Sequence, residues 1–359
     1  MMFVEIEAMD TLFFRDGKPF SMGEETWADG IFPPYPSTIY GALRACYFAN
    51  NIEELKKANE DNDPTNQLKI KNVVFKDSGD FLFPIPLDLV KEKKKGNNSK
   101  DIIFSLTLTN FTGDFYSNYP ALSNILTAQT KAENIGAALL PKLIFEDYLR
   151  GNTDEMSFLP LDSYVKNEPK IGIGRSNETL SCEEGKLYRV DMKRLNDLKL
   201  VVEFEGLEMP EAGCLQLGGE GKSARFQKIE GLKVKSPVFA KDDRCFKLIL
   251  TTPAIFKQGW LPEWINQENF EAITGELKFK LLTAAIGKSV LVGGFDLKAK
   301  RPKPAYQAVP AGSVYYFELL KGSMEKILEL FYGKNISEIY PEQGFGMCYV
   351  GKIEEEKTR

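Results

Sequence analysis

Ser313–Ile353 reads SVYYFELLKGSMEKILELFYGKNISEIYPEQGFGMCYVGKI, and three changes of pattern inside it decide the fold. Ser313 to Leu319 is a β-branched and aromatic run of strand type. From Ser323 the apolar positions become Met324, Ile327, Leu328 and Phe331, the spacing of one helix face, and Gly333 ends the pattern. Gly344-Phe345-Gly346 then leads into a last strand, Met347 to Ile353.

Working outward, Phe246–Thr252 reads as an opening strand and 276–286 as a helix with Leu277, Leu281 and Ala285 on one face. Val290–Lys298 reads as another strand. Strand, helix, strand, strand, helix, strand is the order of the ferredoxin-like split, so 236–359 is expected to form a C-terminal domain of that kind. At 359 residues a second domain is the default, and it is placed at 1–235. Phe3–Met9 alternates as a half-buried strand, with Glu5 and Glu7 on one side and Val4, Ile6 and Ala8 on the other. After Pro33-Pro34-Tyr35-Pro36, Ser37 reads as the N-cap of a helix showing Ile39, Leu43, Cys46 and Tyr47. A second helix is expected over 128–150, closed by Gly151-Asn152, and short strands at 185–191, 198–206 and 213–217. Lys91–Lys100 has the composition of a mobile polar loop. The fold class is α+β, with antiparallel sheets.

Two totals narrow the function. The chain has no histidine, which removes the side chain most used for proton transfer near neutral pH and the commonest metal ligand. Its formal charge is −5, which argues against free, non-specific nucleic-acid binding and requires any RNA site to be local. Five scattered cysteines suggest neither disulfides nor a zinc cluster and are expected to be small buried hydrophobes. No secretory signal and no apolar run long enough to span a bilayer is read, so a cytoplasmic, non-membrane protein is expected. No Walker loop, nucleophile elbow or dinucleotide fingerprint occurs. Asp10, Asp16, Glu24, Glu25 and Asp29 lack metal-binding spacing, and neither catalytic residues nor a cofactor are expected.

Candidate contacts are mostly glycines beside cations. Lys170, Gly172, Gly174 and Arg175 form one cluster; Gly218, Gly219, Lys222 and Arg225 form another; Gly293-Gly294 and Gly344-Phe345-Gly346 complete the set. Without a Cβ, such loops let main-chain amides approach phosphate, although ordinary turns explain the same glycines. Gln343–Val350 partly imitates the aromatic motif of RNA-recognition domains, but it follows the second helix and reads as a loop that contacts backbone. Between 288 and 303, Lys288, Lys298, Lys300, Arg301 and Lys303 face Asp296 alone, the best electrostatic candidate for phosphate or simply a solvated hairpin. The helix start at Ser37, with Arg44 two turns on and Arg15, Lys18 and Trp27 nearby in sequence, offers a further anion site.

Asp10–Phe20, Pro33–Arg44, Leu217-Gly-Gly-Glu220, Ala308–Phe317 and Gly344–Gly346, taken together and in this order, resemble one family. It is the subunit-three family of type III-B CRISPR Cmr effector complexes, within the repeat-associated (RAMP) superfamily. The resemblance implies two ferredoxin-like domains with insertions and a non-catalytic role at one end of a guide-RNA complex. It also implies partners: the 5′ tag of the guide (crRNA), the large polymerase-like subunit and a backbone RAMP subunit, in antiviral defence. Gly344, Phe345 and Gly346 match the superfamily's glycine-rich hallmark in a shortened form, and Arg15, Ser37, Arg44, Gly218, Gly219 and Lys222 become tag-contact candidates. Two alternatives stay open: a histidine-free endoribonuclease of the same superfamily working near Tyr40 and Arg44, and a small-molecule enzyme or protein-only scaffold.

Overall fold

The computed structural model describes residues 1–15, 27–93, 102–111, 117–119, 122–153, 156–176, 178–179, 181–296 and 301–353. The N-terminal half is built on an eight-stranded sheet. Strand β1 (Met2–Ala8) buries Val4 and Ile6 on one face, as its alternation dictates. Helix α1 (Pro36–Asn50) follows, then β2 (Lys69–Lys76), β3 (Phe81–Pro84), β4 (Ala138–Pro141), α2 (Lys142–Leu149) and β5 (Leu159–Pro160). A long antiparallel hairpin, β6 (Val165–Arg175) with β7 (Cys182–Leu195), pairs outside that sheet, with Trp27–Ala28 parallel along β7. Strands β8 (Lys199–Glu205), β9 (Ala212–Gln216) and β10 (Ser223–Lys228) complete the half, giving the order β5-β4-β3-β2-β8-β1-β10-β9.

The C-terminal half contains β11 (Cys245–Leu250), β12 (Glu271–Thr274), β13 (Leu277–Ala285), β14 (Val314–Lys321), α3 (Met324–Phe331), β15 (Lys334–Asn335) and β16 (Met347–Lys352). They form a sheet ordered β12-β13-β14-β11-β16-β15. The two sheets share a pattern. In the first, β2, β8, β1 and β10 stand side by side; in the second, β13, β14, β11 and β16 do, with every neighbouring pair antiparallel. Numbered along the chain within each half, both read 2-3-1-4.

Five local expectations are corrected. Residues 276–286 are a strand, not a helix: Leu277 and Leu281 fit either period, but Phe279 between them is also buried and Lys278 and Lys280 lie toward the surface, which is period two. Pairing with β14 overrides the helix propensity of Leu, Lys and Ala. The 128–150 helix shrinks to Lys142–Leu149, because Pro141 cannot continue a helix and ends β4 instead. Ser37 is not the N-cap; Tyr35 is, and Pro36 takes the first helical position that its fixed φ suits. Cys46 and Cys348 are buried as expected, but Cys182, Cys214 and Cys245 are exposed on strands. The expected loop at 91–100 begins as strand, Leu89–Glu92, and residues 94–100 lie outside the described residues.

Three cores hold the layers. Ile39, Leu43 and Cys46 of α1 pack on Val4, Ile6, Leu200 and Val202; Ile327 and Phe331 of α3 pack on Phe246, Phe279 and Phe317. In the second core Phe256, Leu261 and Ile265, from the irregular stretch after β11, fill space beside the sheet. The third core joins the halves: Val74, Phe83, Val201 and Phe145 meet Ile249, Val314, Tyr316 and Tyr349. Among the described residues no helix is long and apolar enough to cross a membrane.

Candidate nucleic-acid interface

Segments far apart in sequence meet at the base of the β6–β7 hairpin. Leu12 and Lys193 exchange backbone hydrogen bonds at 2.8 and 2.7 Å, which fixes the 10–15 segment along β7. The loop 217–222 then closes on that segment. The Gly219 amide donates to the Phe13 carbonyl at 2.8 Å, and Gly218, at φ +80°, lies so close that a Cβ would stand 2.3 Å from the same oxygen. That close approach is what requires glycine here. Arg15 bridges to Gly30, which leads into the proline-rich turn before α1.

The cations of this surface are held by exposed carboxylates. Lys222 bonds Asp10 at 2.7 Å, Lys170 reaches Glu220 at 3.4 Å, and Arg194 joins Glu168 at 2.5 Å and Asp10 at 3.4 Å. The Lys222 ammonium, helped by the Thr11 amide, pulls the Asp10 carboxyl down to about 2. Water screens exposed pairs of this kind, so an arriving phosphate can replace the carboxylate at little expense.

Beside this surface opens a cleft of about 780 Å³ between the halves. One wall is the turn Gly30–Pro36 with Asn167 and Lys193; the other is Thr251–Pro253 with Pro310 and Ala311. Lys193 is 8% exposed, donates to Asn167 Oδ1 at 2.7 Å, and has its pKa lowered by burial. Neither Lys193 nor Asn167 stands out in the sequence, because strand pairing across the hairpin is what turns them into one wall.

The other predicted positions are scattered. Gly344 and Gly346 do not offer free amides: their N–H groups donate to Pro341 and Pro253 carbonyls, and Phe345 is wholly buried among Ile255, Val292 and Ala308. A Cβ on Gly346 would stand 2.3 Å from the Ser337 nitrogen, so this loop is a packing element against the Ser337 backbone of the same chain. Gly172 and Gly174 belong to strand β6, not to a loop; the Tyr188 ring lies over Gly172, 2.2 Å from where a Cβ would be, and Gly174 sits at a register shift. The Arg175 side chain lies outside the described residues. Arg44 is committed inward, bonding Asp63 at 2.6 Å, Thr65 at 2.7 Å and Asn59 at 3.0 Å, and the Asp63 side chain is fully buried. Ser37 lies inside the first turn of α1. Arg225 is exposed on β10 and grips Glu7 with two bonds, at 3.1 and 2.8 Å. Arg301 is exposed on a short strand, while Lys18, Lys298 and Lys300 lie outside the described residues, as does the Trp27 side chain. Among the described residues no group of three or more Cys, Asp or Glu is arranged to hold a metal.

The fold has solved counterparts. A chain in a cryo-EM structure of the type III-B Cmr-beta bound to cognate target RNA and AMPPnP is 16% identical, with a TM-score of 0.52 over 91% of this chain and 88% of that one. A chain in the Cmr-beta structure bound to cognate target RNA alone gives the same identity and TM-score over 91% and 89%. At that identity the likeness establishes the fold. A comparison with curated proteins gives no match. The model of the CRISPR-associated protein family Cas_Cmr3 matches residues 4–353, nearly the whole sequence, and the chain therefore belongs to that family.

Proposed function

We propose that this chain is a non-catalytic subunit of a type III-B CRISPR effector complex that holds the 5′ tag of the guide RNA and docks the large polymerase-like and backbone subunits. The observation that carries the reading is the convergence along the hairpin: Arg15, Lys170 and Lys222, drawn from three distant segments and brought together where Gly218 and Gly219 pack on Phe13, share one surface whose lysines, among the described residues, are paired with exposed carboxylates. Phosphate contacts of this type position an RNA end without reading its sequence. The cleft beside it, with Lys193 and Asn167 on one wall, offers room for an unstacked nucleotide. The Lys298, Lys300 and Arg301 strip stays part of the proposal as a second contact. Both halves are read as ferredoxin-like units, 1–235 keeping only the first helix of the pattern and 236–359 only the second; the shared 2-3-1-4 strand order supports this.

The endoribonuclease alternative gains nothing from Tyr40 and Arg44. Burial raises the Tyr40 pKa, opposite to what a nucleophile or base needs, and Arg44 is tied to Asp63. The test is guide-RNA retention by the assembled complex across a salt series, with Lys170→Glu and Lys222→Glu. Retention is expected to weaken, with the salt slope falling by about one per lysine lost. An unchanged slope in folded variants would overturn the assignment, and specific metal-free cleavage of repeat RNA by the purified chain would favour the nuclease.

A further inference from the structure

The core between the halves contains a charged group that an apolar interface does not need. Asp88 is 0% exposed, in the turn after β3. Its Oδ1 accepts the Tyr148 hydroxyl at 2.7 Å, and its Oδ2 accepts the Tyr316 hydroxyl at 2.6 Å and the Lys247 ammonium at 3.3 Å. Lys247 is 1% exposed, and its Nζ lies 3.6 Å from the centre of the Tyr148 ring. Asp88 and Tyr148 come from the N-terminal half; Lys247 and Tyr316 face each other on β11 and β14 of the C-terminal half.

We propose that this cluster is a registry lock: it fixes one relative placement of the two halves and thereby the width of the cleft between them. Burying a carboxylate and an ammonium together is seldom stabilising on balance, whereas leaving either alone is severely unfavourable. The pair therefore contributes little to affinity between the halves but penalises every placement in which it separates. The apolar side chains around it, such as Val74, Val201, Ile249 and Val314, are non-directional and would tolerate a slide. Hydrogen bonds to two carboxylate oxygens are not so tolerant. Two further contacts cross the same seam: the Leu87 amide donates to the Gly312 carbonyl at 2.8 Å, next to Ala311 of the cleft wall, and Asn72 Nδ2 donates to the Tyr349 hydroxyl at 2.9 Å.

The experiment measures the distance between spin labels at Asp162 and Ser289, one on each half, in full-length protein whose exposed Cys182, Cys214 and Cys245 are serine. Two variants are compared with it: Asp88→Asn with Lys247→Met, which removes both charges while keeping volume, and Tyr148→Phe with Tyr316→Phe, which removes both hydroxyl donors. Each is expected to keep its circular dichroism and to broaden the distance distribution at least twofold. Distributions as narrow as the parent's in the folded variants would overturn the proposal. Where one variant fails to fold the other decides. Failure of both to fold would also overturn it, since a registry device only selects among placements of halves that the apolar core already holds together.

Discussion

At the scale of single residues, the two glycine types in this chain make opposite demands. Gly346 sits at φ +75° and a side chain there meets the Ser337 backbone, whereas Gly221, at φ +62°, has open space around its absent Cβ. Gly221→Ala is expected to lose about 1 kcal/mol from backbone strain alone, and Gly346→Ala about 2–4 kcal/mol, compared by urea denaturation. Asp10 gives a titration prediction. Its folded pKa, about 2, lies below the ordinary carboxylate value, so its contribution to stability is present above roughly pH 4 and is lost as pH falls through about 2. Lys222→Met should return the Asp10 carboxyl toward the ordinary value in an NMR titration, and binding of RNA phosphate to Lys222 should move it the same way.

At the scale of elements, Arg44 shows how a motif residue is claimed by its surroundings. It projects from α1 to the loop 59–65, where hydrogen bonds from Thr65 and Asn59, and the Arg44 charge, outweigh the burial that would raise the Asp63 pKa. Arg44→Ala leaves that carboxylate without its cation and is expected to lower stability by about 1–3 kcal/mol in denaturant, while leaving the salt slope of guide retention unchanged. A helix over 276–286 was the sequence expectation with the weakest support, since Leu277 and Leu281 alone cannot separate a period of 3.6 from one of 2. The helix at Met324–Phe331 was legible because four apolar positions and a terminal glycine agree. The strand at the N-terminus was legible for the same reason, its charges alternating with Val4 and Ile6.

At the scale of the molecule, the third core makes the halves interdependent. Ile249, Val314 and Tyr316 on one side and Val74, Phe83 and Val201 on the other would face water in separated halves. Residues 1–235 or 236–359 expressed alone are therefore expected to bind a hydrophobic dye and aggregate, whereas the intact chain does neither; dye fluorescence and light scattering check this.

Composition and local periodicity by themselves determined the α+β class, the terminal strands, the helix after Pro36 and the absence of histidine chemistry, while the family resemblance came from motifs matched in order along the chain. The first four rest on neighbours within a few residues or on totals. Only the tertiary structure decided which cations are free to exchange partners, that the Gly344–Gly346 amides are already bonded, and that Lys193 and Asn167 line a cleft. The physical reason is that availability depends on burial and on the partner a fold supplies. Lys222 and Arg44 read alike in the sequence, yet one meets an exposed aspartate and the other a buried one.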